Sequence, residues 1–160
     1  MTRNTFLSTR LAGVVPALVC LISTASATTL EVTSLSDGGA GSLREAIDAG
    51  IATGAAFELD LRSLHGTLSL DAPLPPVPFD VRLVGPGAAS LSLATTVSRM
   101  PGWLLAVTGA ATVSGLSVVG PFVNGVFKAS TSLDLEDVEL RNLICVGDAS
   151  RPQVPLVQAP

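Results

Sequence analysis

The chain has 160 residues, 48% of them hydrophobic and 14% charged, with 9 Lys and Arg against 13 Asp and Glu for a formal net charge of −4. That apolar share excludes disorder as a description of the whole chain. The acidic balance, with Lys128 its only lysine, excludes the basic patch that nucleic acid or an anionic membrane surface requires.

Residues 1–27 read as a secretory signal peptide. Arg3 and Arg10 supply the basic start, 11–22 the apolar core, and Ala25-Ser26-Ala27 the small-residue cleavage site. An uncleaved anchor is the competing reading; the short core, broken by Gly13 and Pro16, is poorly suited to spanning a bilayer. Val19 before Cys20 does not fit a lipoprotein signal. Cleavage would remove both arginines and leave Cys145 as the only cysteine, so no internal disulfide could form in the oxidising compartment the export signal implies. No integral membrane segment is expected after signal removal, and the destination is extracellular, cell-surface or periplasmic.

Residues 28–56 read as an N-terminal cap. The stretch 28–35 alternates like a strand, and 36–41 is a turn rich in Gly, Asp and Ser. Ser42 and Glu45 have capping-box spacing, which sets a helix start. Leu43, Ala46 and Ile47 share one face, and Gly50 sits at the expected C′ position. The spacing predicts a helix over 42–50. A helix this short is unstable alone, so it must cover something, and the chain beyond it reads as strand.

Short alternating or apolar stretches at 57–61, 67–70, 81–84, 91–94, 104–107, 112–119, 126–128 and 133–140 are separated by Gly- and Pro-rich turns, among them Gly85-Pro86-Gly87 and Gly120-Pro121. Strand positions at 59, 81, 104 and 126, and at 68, 91, 113 and 133, suggest two columns with a period of about 22 residues, inside the solenoid range. Leu68, Leu91, Val113 and Leu133 are expected to form one inward stack, and Leu70, Leu93 and Leu135 the next. The predicted fold is therefore all-β: a short parallel β-helix of about four coils over 57–143, capped by the amphipathic helix. A β-sandwich or small antiparallel barrel is the alternative, with Asn124-Gly125 as one hairpin signal. Residues 144–160 form a Pro-rich tail that cannot continue a ladder.

Gly41-Ser42-Leu43-Arg44-Glu45-Ala46-Ile47 resembles the N-terminal motif of exported bacterial CSLREA-domain proteins, with Gly41 in the cysteine position of the name. The stretches 81–88, 98–99, 111–118 and 133–142 resemble coil segments of the same proteins. The resemblance implies a right-handed parallel β-helix akin to pectin-lyase-like and polymorphic outer-membrane proteins. Such proteins usually run for many more coils; two readings stand, a truncated member of a longer family or a short one whose Pro-rich tail blunts the last edge.

Candidate chemistry is sparse. Asp134, Glu136, Asp137 and Glu139 could supply oxygen ligands for calcium, but charge runs on strands are usually solvent faces. Glu58 and Asp60 share a strand face as a carboxylate pair for sugar cleavage would, without a visible partner pair. His65 has no triad or metal-ligand companions. Trp103 reads as packing rather than a sugar platform. Arg44 has Asp37 and Asp48 within pairing range. No catalytic, cofactor-binding or metal residue is assigned, and no cofactor is expected. The expected function is a non-catalytic exported β-helix module of surface or adhesin type. The alternative is a carbohydrate-active or polysaccharide-binding protein, for which Arg82 and Arg141 would have to gather with the acidic residues in one groove. Self-association through the C-terminal edge and contact with a cell surface or polysaccharide are the expected partnerships.

Overall fold

The computed structural model describes residues 27–97, 102–121 and 125–142, and the backbone of 157–158. Residues 1–26, Arg99, Asn124, Cys145 and the rest of the Pro-rich tail lie outside the described residues.

The strands are β1 (Thr28–Glu31), β2 (Phe57–Asp60), β3 (Gly66–Leu70), β4 (Val81–Val84), β5 (Leu91–Thr95), β6 (Trp103–Val107), β7 (Ala111–Val119), β8 (Gly125–Ala129), β9 (Leu133–Arg141) and β10 (Val157–Gln158). The helix α1 (Leu43–Thr53) lies between β1 and β2. Every ladder between these strands is parallel. The chain is a parallel β-solenoid of about three turns.

Each turn has three faces. The first stacks β1, β2, β4 and the first halves of β7 and β9. The second stacks β3, β5 and the second halves of β7 and β9. The third stacks β6, β8 and β10, with Val77 bridging to Val107 below β6. Strands β7 and β9 serve two faces because each bends at a left-handed residue, Gly115 (φ 65°) and Asp137 (φ 50°).

The core is built from columns. Leu30, Leu59, Leu83, Val113 and Leu135 stand in register along the first face. Leu68, Leu93, Val118 and Leu140 do so along the second. Leu59, Leu68, Val113 and Val118 are fully buried. Each such side chain stabilises by about 1.5–3 kcal/mol relative to exposure. Period-2 alternation puts the intervening residues outside: Glu58, Arg82, Thr112 and Asp134 form one outward row.

The expected stacks are thus out of register. Leu68 neighbours Leu93, not Leu91, and Val113 neighbours Leu83. The repeat is uneven: 24 residues from Phe57 to Val81, 30 from Val81 to Ala111 and 22 from Ala111 to Leu133. A 22-residue period assigned the strand at 104 to the column of 81, whereas that strand is the third face of the same turn. Corner connections of unequal length make the period irregular, and a third face halfway round imitates it. These three intervals make about three turns.

At the N-terminal end, Ser42 caps α1, its hydroxyl accepting the Glu45 amide at 3.2 Å. The returning carboxylate reaches one residue past the usual capping-box target, accepting the Gly41 amide at 2.6 Å. The Ser42 amide is already donated to the Gly39 carbonyl. Gly41 has φ 73°, and a Cβ there would collide with the Thr33 hydroxyl, so the position that carries cysteine in the resembled motif disfavours a side chain in this chain.

The helix does not stop at Gly50. It runs to Thr53, and Gly54 (φ 72°) is the left-handed cap, donating to the Ile51 carbonyl. Gly50 is inside the helix because the Phe57 ring lies across it; a Cβ would stand 2.5 Å from the ring. Leu43, Ala46, Ile47 and Gly50 face inward, sealing the first turn at β1 and β2. Among the described residues no helix is long and apolar enough to cross a membrane.

Candidate functional site

The outward rows carry the side chains available for chemistry. On the first face Glu58 lies across from Arg82 in the next layer, with Oε2 3.9 Å from Nε. Asp60 is gripped by Arg62 from its own strand end: Nε to Oδ1 is 2.9 Å and Nη2 to Oδ2 is 2.7 Å, while the Arg62 amide also donates to Oδ1 at 3.0 Å. The Arg62 side-chain bonds, then its amide, hold the Asp60 carboxyl down at about 2. The same pairing raises the guanidinium further. A general acid for sugar cleavage near neutral pH needs a carboxyl pushed upward, so Asp60 is tuned away from that role.

The acidic run on β9 is divided by its bend. Asp134 and Glu136 stand on the first face, opposite Thr112 and Ser114; Glu139 stands on the second, opposite Ser117. Arg141 hydrogen-bonds Glu139 and lowers its pKa. Asp137 occupies the corner itself, and its Oδ2 accepts the Ala88 amide at 3.2 Å. Ser114 pairs with Glu136 and Leu116 with Val138, so the residue between, Gly115, lies beneath Asp137. The Gly115 backbone packs against Gly85, where a Cβ would meet the Gly115 carbonyl oxygen. That bare corner lets the Asp137 carboxylate reach back to Ala88, 49 residues earlier. Among the described residues no three His, Cys, Asp or Glu side chains are arranged to hold a metal ion.

The residues that a carbohydrate-active groove would need are therefore spread out. Arg82 and Asp134 share a row two layers apart, roughly 10 Å at the ladder spacing. Glu139 and Arg141 lie around the corner. His65 is exposed in the turn before Gly66. Trp103 is half-buried at the start of β6, in register with Gly125.

Two open depressions of about 230 Å³ flank the start of α1. One is lined by Gly38, Gly39, Ser42, Arg44, Glu45 and Asp48 among others. Its cation is already engaged. Arg44 pairs with Asp37 at 2.7 Å rather than Asp48, and donates to the carbonyls of Pro73 (2.7 Å) and Ala72 (3.1 Å). It ties the turn before α1 to the link after β3.

Two structural roles have no sequence signal. Asp80 Oδ1 accepts the Ala110 amide at 2.8 Å, joining adjacent coils at their corner. Ser117, on an outward row, is buried and hydrogen-bonds Ser92 Oγ at 2.6 Å and the Leu91 carbonyl at 3.3 Å. Both pairings cross one coil, a separation that only the register supplies.

Comparison with known proteins finds no family model, no curated protein and no solved structure that matches this chain.

Proposed function

We propose that this chain is a non-catalytic structural module, exported and displayed at or beyond the cell surface, and that it is related to CSLREA-domain proteins. The observation that carries the reading is the use of its charged side chains. Glu58, Asp60, Asp137 and Glu139 are each engaged by a partner that ties a strand, a corner or a neighbouring coil, and Arg44 closes the cap. Groups spent in this way brace a scaffold and leave little for proton transfer. The sequence pattern at 1–27 supports export, and the motif at 41–47 supports the family.

The test is expression of the full chain in a bacterial host, with fractionation and N-terminal sequencing of the product. The reading expects a product outside the cytoplasm that begins at Thr28. An unprocessed cytoplasmic product would refute it.

A second reading, binding or cleavage of an acidic polysaccharide, is favoured by one feature: Glu58, Asp60, Arg62 and Arg82 bring both charges together on the first face. Incubation with polygalacturonate, scored for unsaturated ends and for retention on the polymer, separates the two. Cleavage abolished by Glu58→Gln would establish the second reading.

A further inference from the structure

The geometry points to the outer edge of β9 as a receiving site for an extended basic segment of another polypeptide, added as a further strand with its cations beside Asp134 and Glu136. This goes beyond the scaffold reading and does not depend on it.

Among the described residues no strand lies beyond β9: it pairs with β7 on one side only. Its inward row is incomplete. Leu59 and Val113 are fully buried and Leu83 is 1% exposed, but Leu135, next in the same column, is 37% exposed. It is the one large apolar side chain exposed to that degree among the described residues. Leu133, Val138 and Leu140 are only half-buried. An unpaired edge with a half-covered apolar row is a template for strand addition.

The outward row states the chemistry of the added strand. Glu58 on β2 meets Arg82 from the neighbouring layer, and Glu139 meets Arg141 on its own strand. Among the described residues Asp134 and Glu136 face only the hydroxyls of Thr112 and Ser114, in the layer below. A cation for them must come from the layer above, two residues apart on one face. The apolar residue between those cations then falls on Leu135. The matching segment alternates basic and apolar residues.

A second copy of this chain fits poorly. Laying β1 of another copy on β9 in the ladder's own register would set Glu31 beside Glu136, since Glu31, Asp60, Val84, Ser114 and Glu136 form one row. Like charges directly opposite destabilise a strand pair. The self-association expected from the open edge is thus opposed by the charge on it.

The experiment measures fluorescence anisotropy of labelled hexapeptides with the full chain lacking residues 1–27. The peptides are alternating valine and lysine, the same residues in two blocks, and alternating valine and glutamate. Alternating valine–lysine should bind more tightly than either control, by about 2- to 30-fold, as two favourable cross-strand pairs imply. The double variant Asp134→Asn, Glu136→Gln, with an unchanged circular dichroism spectrum, should reduce that preference to near unity. Equal binding of the block peptide, undiminished preference in the double variant, or no binding of any peptide would overturn the proposal. A peptide-free dimer by sedimentation that the peptide leaves intact would also overturn it and would assign the edge to a second copy.

Discussion

Replacing Gly50 with alanine sets two effects against each other. In an ordinary helix interior alanine is more favourable than glycine by about 1 kcal/mol. Here the new methyl would stand 2.5 Å from Cδ2 and Cε2 of Phe57 and 2.7 Å from Cγ. The contact with Cγ matters, because rotating the ring cannot relieve it; the whole side chain or the helix must move. Phe57 is 1% exposed and lies in register between Thr28 and Val81, so its room to move is small. Overpacking of this kind costs about 1–3 kcal/mol. The packing term should win, and Gly50→Ala should destabilise by roughly 1 kcal/mol net. In a Phe57→Ala background the obstacle is gone, and the same substitution should stabilise by about the propensity difference. Urea unfolding of the four proteins of this cycle, monitored by circular dichroism with Cm and m compared, reads the reversal directly. Stabilisation by Gly50→Ala with Phe57 intact would refute the reasoning.

Other substitutions test the corners and the cap. Arg44→Met keeps the aliphatic stem but removes the bonds to Asp37, Ala72 and Pro73; a loss of about 1–2 kcal/mol in urea unfolding is expected, with faster proteolytic nicking at 36–41. Asp137 has φ 50° and bonds Ala88, so Asp137→Ala should lose about 1–2 kcal/mol of stability from backbone strain plus the missing acceptor. Asp137→Gly should lose less, because only the acceptor is removed; an alanine variant as stable as the glycine one would contradict the left-handed assignment. Asp60 has a folded pKa lowered to about 2 by Arg62, below an unfolded value of about 3.9. Its contribution is present above the unfolded value and is lost as pH falls through the folded one. The pair is largely solvated, so the effect is small, and Asp60→Asn should flatten that part of the stability profile between those values.

Local signals on single segments carried a large part of the architecture. The Ser42–Glu45 spacing marks the helix start, because capping is an interaction within one turn. Alternation at 57–60 and 133–136 assigns inward and outward faces, because side chains of a strand point alternately. Composition and repetition together point to stacked parallel coils with a helix over the first of them.

Register, the number of faces and the engagement of each charge were decided only by the tertiary structure. Val81 meets Ala111 thirty residues on, not the strand at 104, because corner lengths vary and no local pattern reports them. Gly50 reads as a helix end until Phe57 is found lying on it. Alternation alone would point Glu139 to the side opposite Asp134 and Glu136; the bend at Asp137 instead leaves all three exposed, on two faces of the coil. In each case the deciding neighbour is either a coil away or set by a backbone turn, and proximity of that kind exists only once the coils have stacked.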